Sequence, residues 1–162
     1  MAKTPRTPKI PKVQIDSMEG LLPELPGQPV VVNLRTLPPD WAVDPNYIYI
    51  GRAGHGLSGS WGNPITPLIP CRVCGQAHDK PKSTIVCYGT FLRAVYTNPG
   101  TSATVRRNLL SLTGRRLVCF CAPAPCHGHE IVRVWRTLVV DHSEADDVRS
   151  ALRAALDLDE PQ

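Results

Sequence analysis

The chain has 162 residues, 42% of them apolar and 20% charged, enough for one domain with a core and too apolar for a chain disordered throughout. No apolar run reaches 18 residues, which excludes a membrane-spanning helix, and no membrane partner is expected. The net charge of +4 permits a nucleotide or nucleic-acid partner without demanding one.

Residues 1–28 read as a flexible arm. Lys3, Arg6, Lys9 and Lys12 alternate with Pro5, Pro8 and Pro11, and proline removes the backbone donors a helix needs. Such an arm either solubilises the chain or contacts phosphates. No apolar stretch follows it, so it is not a secretory signal. With six cysteines, the expected setting is the reducing cytoplasm, where closely spaced cysteines hold metal or do chemistry more often than they form disulfides.

The folded part is expected over 29–140. The β-branched run over 30–34 and Tyr47-Ile48-Tyr49-Ile50 read as buried strands, with proline and aspartate turns between them. Gly51, Gly54, Gly56, Gly59 and Gly62 then punctuate a stretch without periodicity, a long loop of the kind that carries function. Helical spacing predicts helices near 84–97, ended by Asn98-Pro99-Gly100, and near 103–113, closed by Gly114. Residues 116–121 read as a third strand, and Ile131, Trp135 and Leu138 place a helix over 127–139. Ser143 and Asp146 resemble a capping box opening a last helix near 144–157, inside an acidic tail over 141–162. Strands separated by helices predict a small layered α/β domain with a short, mostly parallel sheet.

Two clusters carry metal or thiol chemistry. Cys71-Arg72-Val73-Cys74-Gly75, with His78 and Cys87, supplies four donors for a tetrahedral, closed zinc site. One structural zinc would staple an insertion over 66–87 that has no core of its own. The alternative is that these cysteines are free or simply buried, Cys87 above all.

Residues 119–129, CFCAPAPCHGH, are the second cluster. Strand alternation would put Cys119 and Cys121 on one face. Cys126 and His127 would open a helix, whose amides and dipole stabilise a thiolate and bind anions. Three readings stay open: Cys126 as a nucleophile with His127 or His129 as base, a second metal on Cys119, Cys121, Cys126 and a histidine, or cysteines that only pack.

In the glycine-rich loop, Gly51-Arg52 follows a strand and Arg52 could clamp a phosphate, although no Walker lysine or G-x-G-x-x-G is present. Trp61 and Asn63 offer an aromatic face and an amide for a base; a packing role for Trp61 and an Asx turn before Pro64 are the competing readings.

Tyr49-Ile50-Gly51-Arg52, Trp61-Gly62-Asn63-Pro64 and Leu117 to Pro123 with Pro125-Cys126-His127-Gly128 together resemble a family of small phage and bacterial proteins catalogued as a domain of unknown function. The resemblance spans about Val31 to Leu138 and implies that the three motifs form one site. It includes Gly128, usually followed by an acidic residue; here His129 follows and Glu130 is one further on, the nearest acid for a catalytic role. The Cys71 to His78 stretch resembles an insertion carried by some relatives, which fits a structural zinc. The expected function is action on, or binding of, a nucleotide, nucleoside or nucleic-acid base, as a hydrolase or transferase. Alternatives are a non-enzymatic zinc adaptor for nucleic acid and a protein that binds a host factor.

Overall fold

The computed structural model describes residues 25–54 and 56–141. The basic arm before Leu25 and the predicted helix near 144–157 lie outside the described residues.

Three strands form one parallel sheet: β1 (Val30–Asn33), β2 (Tyr47–Tyr49) and β3 (Arg116–Cys119), in the order β1-β3-β2. Val31 and Ile48 both align with Leu117 of the central strand. Leu117 and Val118 point to opposite faces and both are fully buried, as a parallel strand covered on both sides requires. The expected strand over 116–121 stops at Cys119. Its neighbours end opposite Cys119 and Val118, so residues 120 and 121 have no ladder to join, and the alternation expected to carry Cys121 along with Cys119 does not extend to it.

The helices are α1 (Ile85–Tyr96), α2 (Ala103–Leu110) and α3 (His127–Asp141). α2 is three residues shorter than its periodicity implies, because Leu109 to Gly114 tighten into turns and Gly114 takes φ +71°. A 3₁₀ turn over Pro81–Thr84 leads into α1. Ile131, Val134, Trp135 and Leu138 make one buried stripe on α3. α3 packs against α1, α2 and β1, and the Trp135 indole N–H donates to Thr113 Oγ1 at 3.1 Å. Gly89 on α1 leaves room for the Glu130 carboxylate, which an added Cβ would meet at 2.0 Å. No helix among the described residues is long and apolar enough to cross a membrane.

The fold also reaches back into the expected arm. Leu25 packs on the core, and Gln28 N–H closes a turn on the Leu25 carbonyl at 2.9 Å around Gly27 at φ +69°. The Gln28 side chain accepts from Arg136.

Candidate functional site

The outer cluster is built from a local turn and one helix. Gly75 N–H donates to the Cys71 carbonyl at 2.8 Å with Gly75 at φ +76°, and Val73 N–H points at Cys71 Sγ at 3.4 Å. A bridge between Pro70 and Ala77 closes the loop and brings His78 back, its Nε2 3.7 Å from Cys74 Sγ. Cys87, in the first turn of α1, completes the group. One donor atom from each of Cys71, Cys74, His78 and Cys87 lies within 4.8 Å of the others, so the four residues could hold a metal ion. The Cys74 N–H, with further amide and side-chain hydrogen bonds, lowers Cys71 to about 6, whereas burial and then the neighbouring sulfurs push Cys87 up to about 12.

The second cluster lies where β3 ends and α3 begins. After Cys119 the chain turns through Phe120, Cys121 and a cis Ala122–Pro123 peptide, and Asn33 donates its amide to the Ala122 carbonyl. Cys126 stands just before α3. Its N–H donates to His129 Nδ1 at 3.1 Å, and its carbonyl accepts from His129 N–H at 3.1 Å. Cys119, Cys126 and His127 bring their donor atoms within 4.8 Å of one another. The Cys119 thiol, then the Gly128 and His129 amides, hold Cys126 below the usual thiol range against the opposing effect of burial. Cys119 is pushed up, first by keeping the shared proton and then by burial. His127 is depressed by burial, while its Nε2 sits 2.5 Å from the Ile50 carbonyl. A carbonyl only accepts, so Nε2 carries the proton and Nδ1 keeps the lone pair of the neutral ring.

Cys119, Cys126 and His127 line a cavity of about 450 Å³, within the range of small-ligand sites. Gly51, Arg52 and Asn63 also line it, as do Tyr49, Phe120, Ile85 and Lys82. Two cations and no carboxylate are among its described lining residues, and the start of α3 adds a positive pole. Arg52 donates through Nη2 to the Ile65 carbonyl at 3.0 Å, and Tyr49 OH donates to the Arg52 carbonyl at 3.1 Å. The Asn63 side chain accepts from Ile65 N–H at 2.9 Å and donates to Thr84 Oγ1 at 2.8 Å. That is the Asx turn, and both ends of the amide are engaged within the protein.

Three expected site residues sit elsewhere. Trp61 is not among the cavity's lining residues: it stacks on Tyr96 with centroids 5.9 Å apart, and its carbonyl accepts from the Tyr88 hydroxyl at 2.8 Å. Glu130, buried between α1 and α3, pairs with Arg133 one helical turn on and is likewise not among the residues that line the cavity. Gly128 serves close packing, since an added Cβ would lie 2.7 Å from Ile50 Cδ1 and 3.1 Å from Val31. Cys121 is exposed yet still lines the cavity. Lys82 and Phe120 were not legible as site residues. Lys82 lies in a polar loop without a motif, and Phe120 reads as an ordinary strand residue; its 46% exposure is visible only in the fold.

The family described as Domain of unknown function (DUF4326) matches residues 32–137, most of the chain. No curated protein and no solved structure matches it.

Proposed function

We propose that this chain, which belongs to the DUF4326 family, is a zinc-stapled enzyme domain acting on a nucleotide or nucleoside held in the cavity. The observation that carries this reading is convergence. The loop from the end of β2 to Asn63, the approach to α1 with Lys82 and Ile85, and the turn from β3 into α3 are far apart in sequence, and all line one cavity. Arg52, Lys82 and the α3 N-terminus suit a phosphate. Tyr49 and Phe120, edge to face with centroids 6.4 Å apart, offer faces for a base. Cys126 and His127 supply the chemically active groups.

The outer cluster takes zinc in this reading. Four sulfur and nitrogen donors with none left over match a closed structural site. Its place in the chain gives it a task, because Cys87 lies in the first turn of α1 and the residues just before it, Lys82, Thr84 and Ile85, line the cavity.

The test is calorimetric titration of the full chain with matched nucleosides and nucleoside monophosphates, followed by assay of any binder for hydrolysis or group transfer. A monophosphate is expected to bind more tightly than its nucleoside. Lys82→Ala should remove most of that difference, roughly 10- to 100-fold for one charged hydrogen bond. Equal affinity for the two, or no binding by any of them, overturns the reading.

A further inference from the structure

We propose that Cys119, Cys126 and His127 hold a second metal ion, a zinc by its donor set, whose fourth coordination position opens into the cavity. It lies in the space assigned above to a nucleotide but needs no nucleotide to form, so the two readings fail separately.

Geometry is the first argument. The three donor atoms lie within 4.8 Å of one another. Tetrahedral zinc, with bonds of about 2.3 Å to sulfur and 2.0–2.1 Å to nitrogen, needs donors roughly 3.5–3.8 Å apart. A spread of up to 4.8 Å exceeds that by about 1 Å, a distance that side-chain torsions can span.

The surroundings of the donors supply the second argument. A metal-bound histidine donates its other ring N–H to a fixed acceptor, which sets the tautomer and the ring plane. His127 does this: Nε2 meets the Ile50 carbonyl and Nδ1 keeps its lone pair. The Tyr88 ring packs edge-on against the imidazole at 5.7 Å. Gly128 lets α3 approach Ile50 closely enough for that bond. Cys119 Sγ accepts from Cys121 N–H at 3.4 Å, and Cys126 lies at the amide-rich start of α3. Each donor is thus already oriented by the backbone.

Charge and count complete the case. Two thiolates and a neutral imidazole would offset the charge of a divalent cation. All three donors line the cavity, and no fourth His, Cys, Asp or Glu among the described residues joins the group. Three protein donors with one vacancy is the pattern of an open, reactive zinc, in contrast to the four donors of the outer cluster. The vacant position would take water or an oxygen, nitrogen or sulfur donor of the cavity's ligand.

Metal content and cobalt absorption of the full chain, purified without a histidine tag and then loaded with Zn²⁺ or Co²⁺, test the proposal. Two ions per chain are expected. Cys126→Ser and Cys119→Ser should each lower the count to one while leaving the thiolate-to-cobalt bands of the outer site. Added azide should perturb the d–d bands of the wild-type cobalt protein and have no effect on either variant. Should both variants fail to fold, the wild-type count and its azide response decide alone. One ion per chain, or two with a spectrum indifferent to azide, overturns the second centre. A single ion with one fast-reacting thiol at Cys126 would assign the inner cluster to thiolate chemistry instead. A count of two without nucleotide binding would sink the ligand reading and leave the metal centre standing.

Discussion

The outer cluster of Cys71, Cys74, His78 and Cys87 and the inner cluster of Cys119, Cys126 and His127 use the same donor types and differ in number and depth. The outer group has four donors and reaches the surface, with Cys74 exposed. The inner group has three, with both cysteines buried, lining a cavity. In each, one thiol is drawn down and a neighbour pushed up: Cys71 against Cys87 outside, Cys126 against Cys119 inside. The comparison teaches that crowded thiols alone do not tell a structural site from a reactive one. What distinguishes them is whether the donor set is complete and what fills the space beside it.

The largest expected effect breaks the outer cluster. Metal-dependent folding energy in small zinc peptides is of order 10–16 kcal/mol. Cys87→Ser, or a strong chelator, should therefore make residues 66–87 susceptible to limited proteolysis and sharply lower the denaturation midpoint. Ligand affinity should fall with it, because the same segment carries Lys82 and Ile85. Unchanged proteolysis and stability after metal removal would show that the cluster staples nothing.

Gly128→Ala aims at the inner cluster. Its Cβ would meet Ile50 and Val31, and overpacking a filled contact costs about 1–3 kcal/mol. Denaturant unfolding should show that loss, while the outer site's metal stays bound. A neutral substitution would mean α3 can shift without disturbing the inner cluster.

Glu130→Gln should separate both clusters from the core between them. Arg133 is 32% exposed at its side chain, so the loss should be about 1–2 kcal/mol, short of the ~3–5 kcal/mol of a fully buried pair. Metal content and nucleotide affinity should not move. A collapse of activity with the fold intact would restore Glu130 to the chemistry.

The smallest effect is a pH slope in metal-free protein. The unfolded chain binds protons at about 8.5 on cysteine and 6.5 on histidine. The folded values of Cys71, Cys126 and His127 lie below these. Folded protein therefore holds fewer protons in that interval, and the stability these groups contribute is present above the unfolded values and lost as pH falls. Thermal midpoints should decline from about pH 8.5 downward, with His127 adding to the decline only below about pH 6.5. His127→Gln should flatten just that lower part; an unaltered curve would place the imidazole in a less buried setting.

Much of the fold was legible because it rests on local pattern. β-branched runs and helical spacing located the three strands and three helices of the described residues to within a few residues, and both donor clusters lie in short stretches whose spacing is visible in one dimension. The packing of Trp61 and the Asx turn of Asn63 were among the readings the sequence left open, whereas the roles of Glu130 and Gly128 were not legible. Each is decided by a neighbour distant in sequence: Tyr96 for Trp61, Thr84 for Asn63, Gly89 beside Glu130, Ile50 against Gly128. Lys82 belongs to the site for the same reason, since the insertion returns it to the cavity wall.

By itself, then, the sequence determined roughly where the described strands and helices lie and where metal-ligating side chains cluster, since periodicity, turn chemistry and donor type act over a few residues. Only the tertiary structure decided that β3 lies between β1 and β2, that its end and the start of α3 line one cavity with Arg52 and Lys82, and that one donor set has four members and the other three. Those outcomes depend on which surfaces bury one another, and burial is a property of the packed chain rather than of any segment of it.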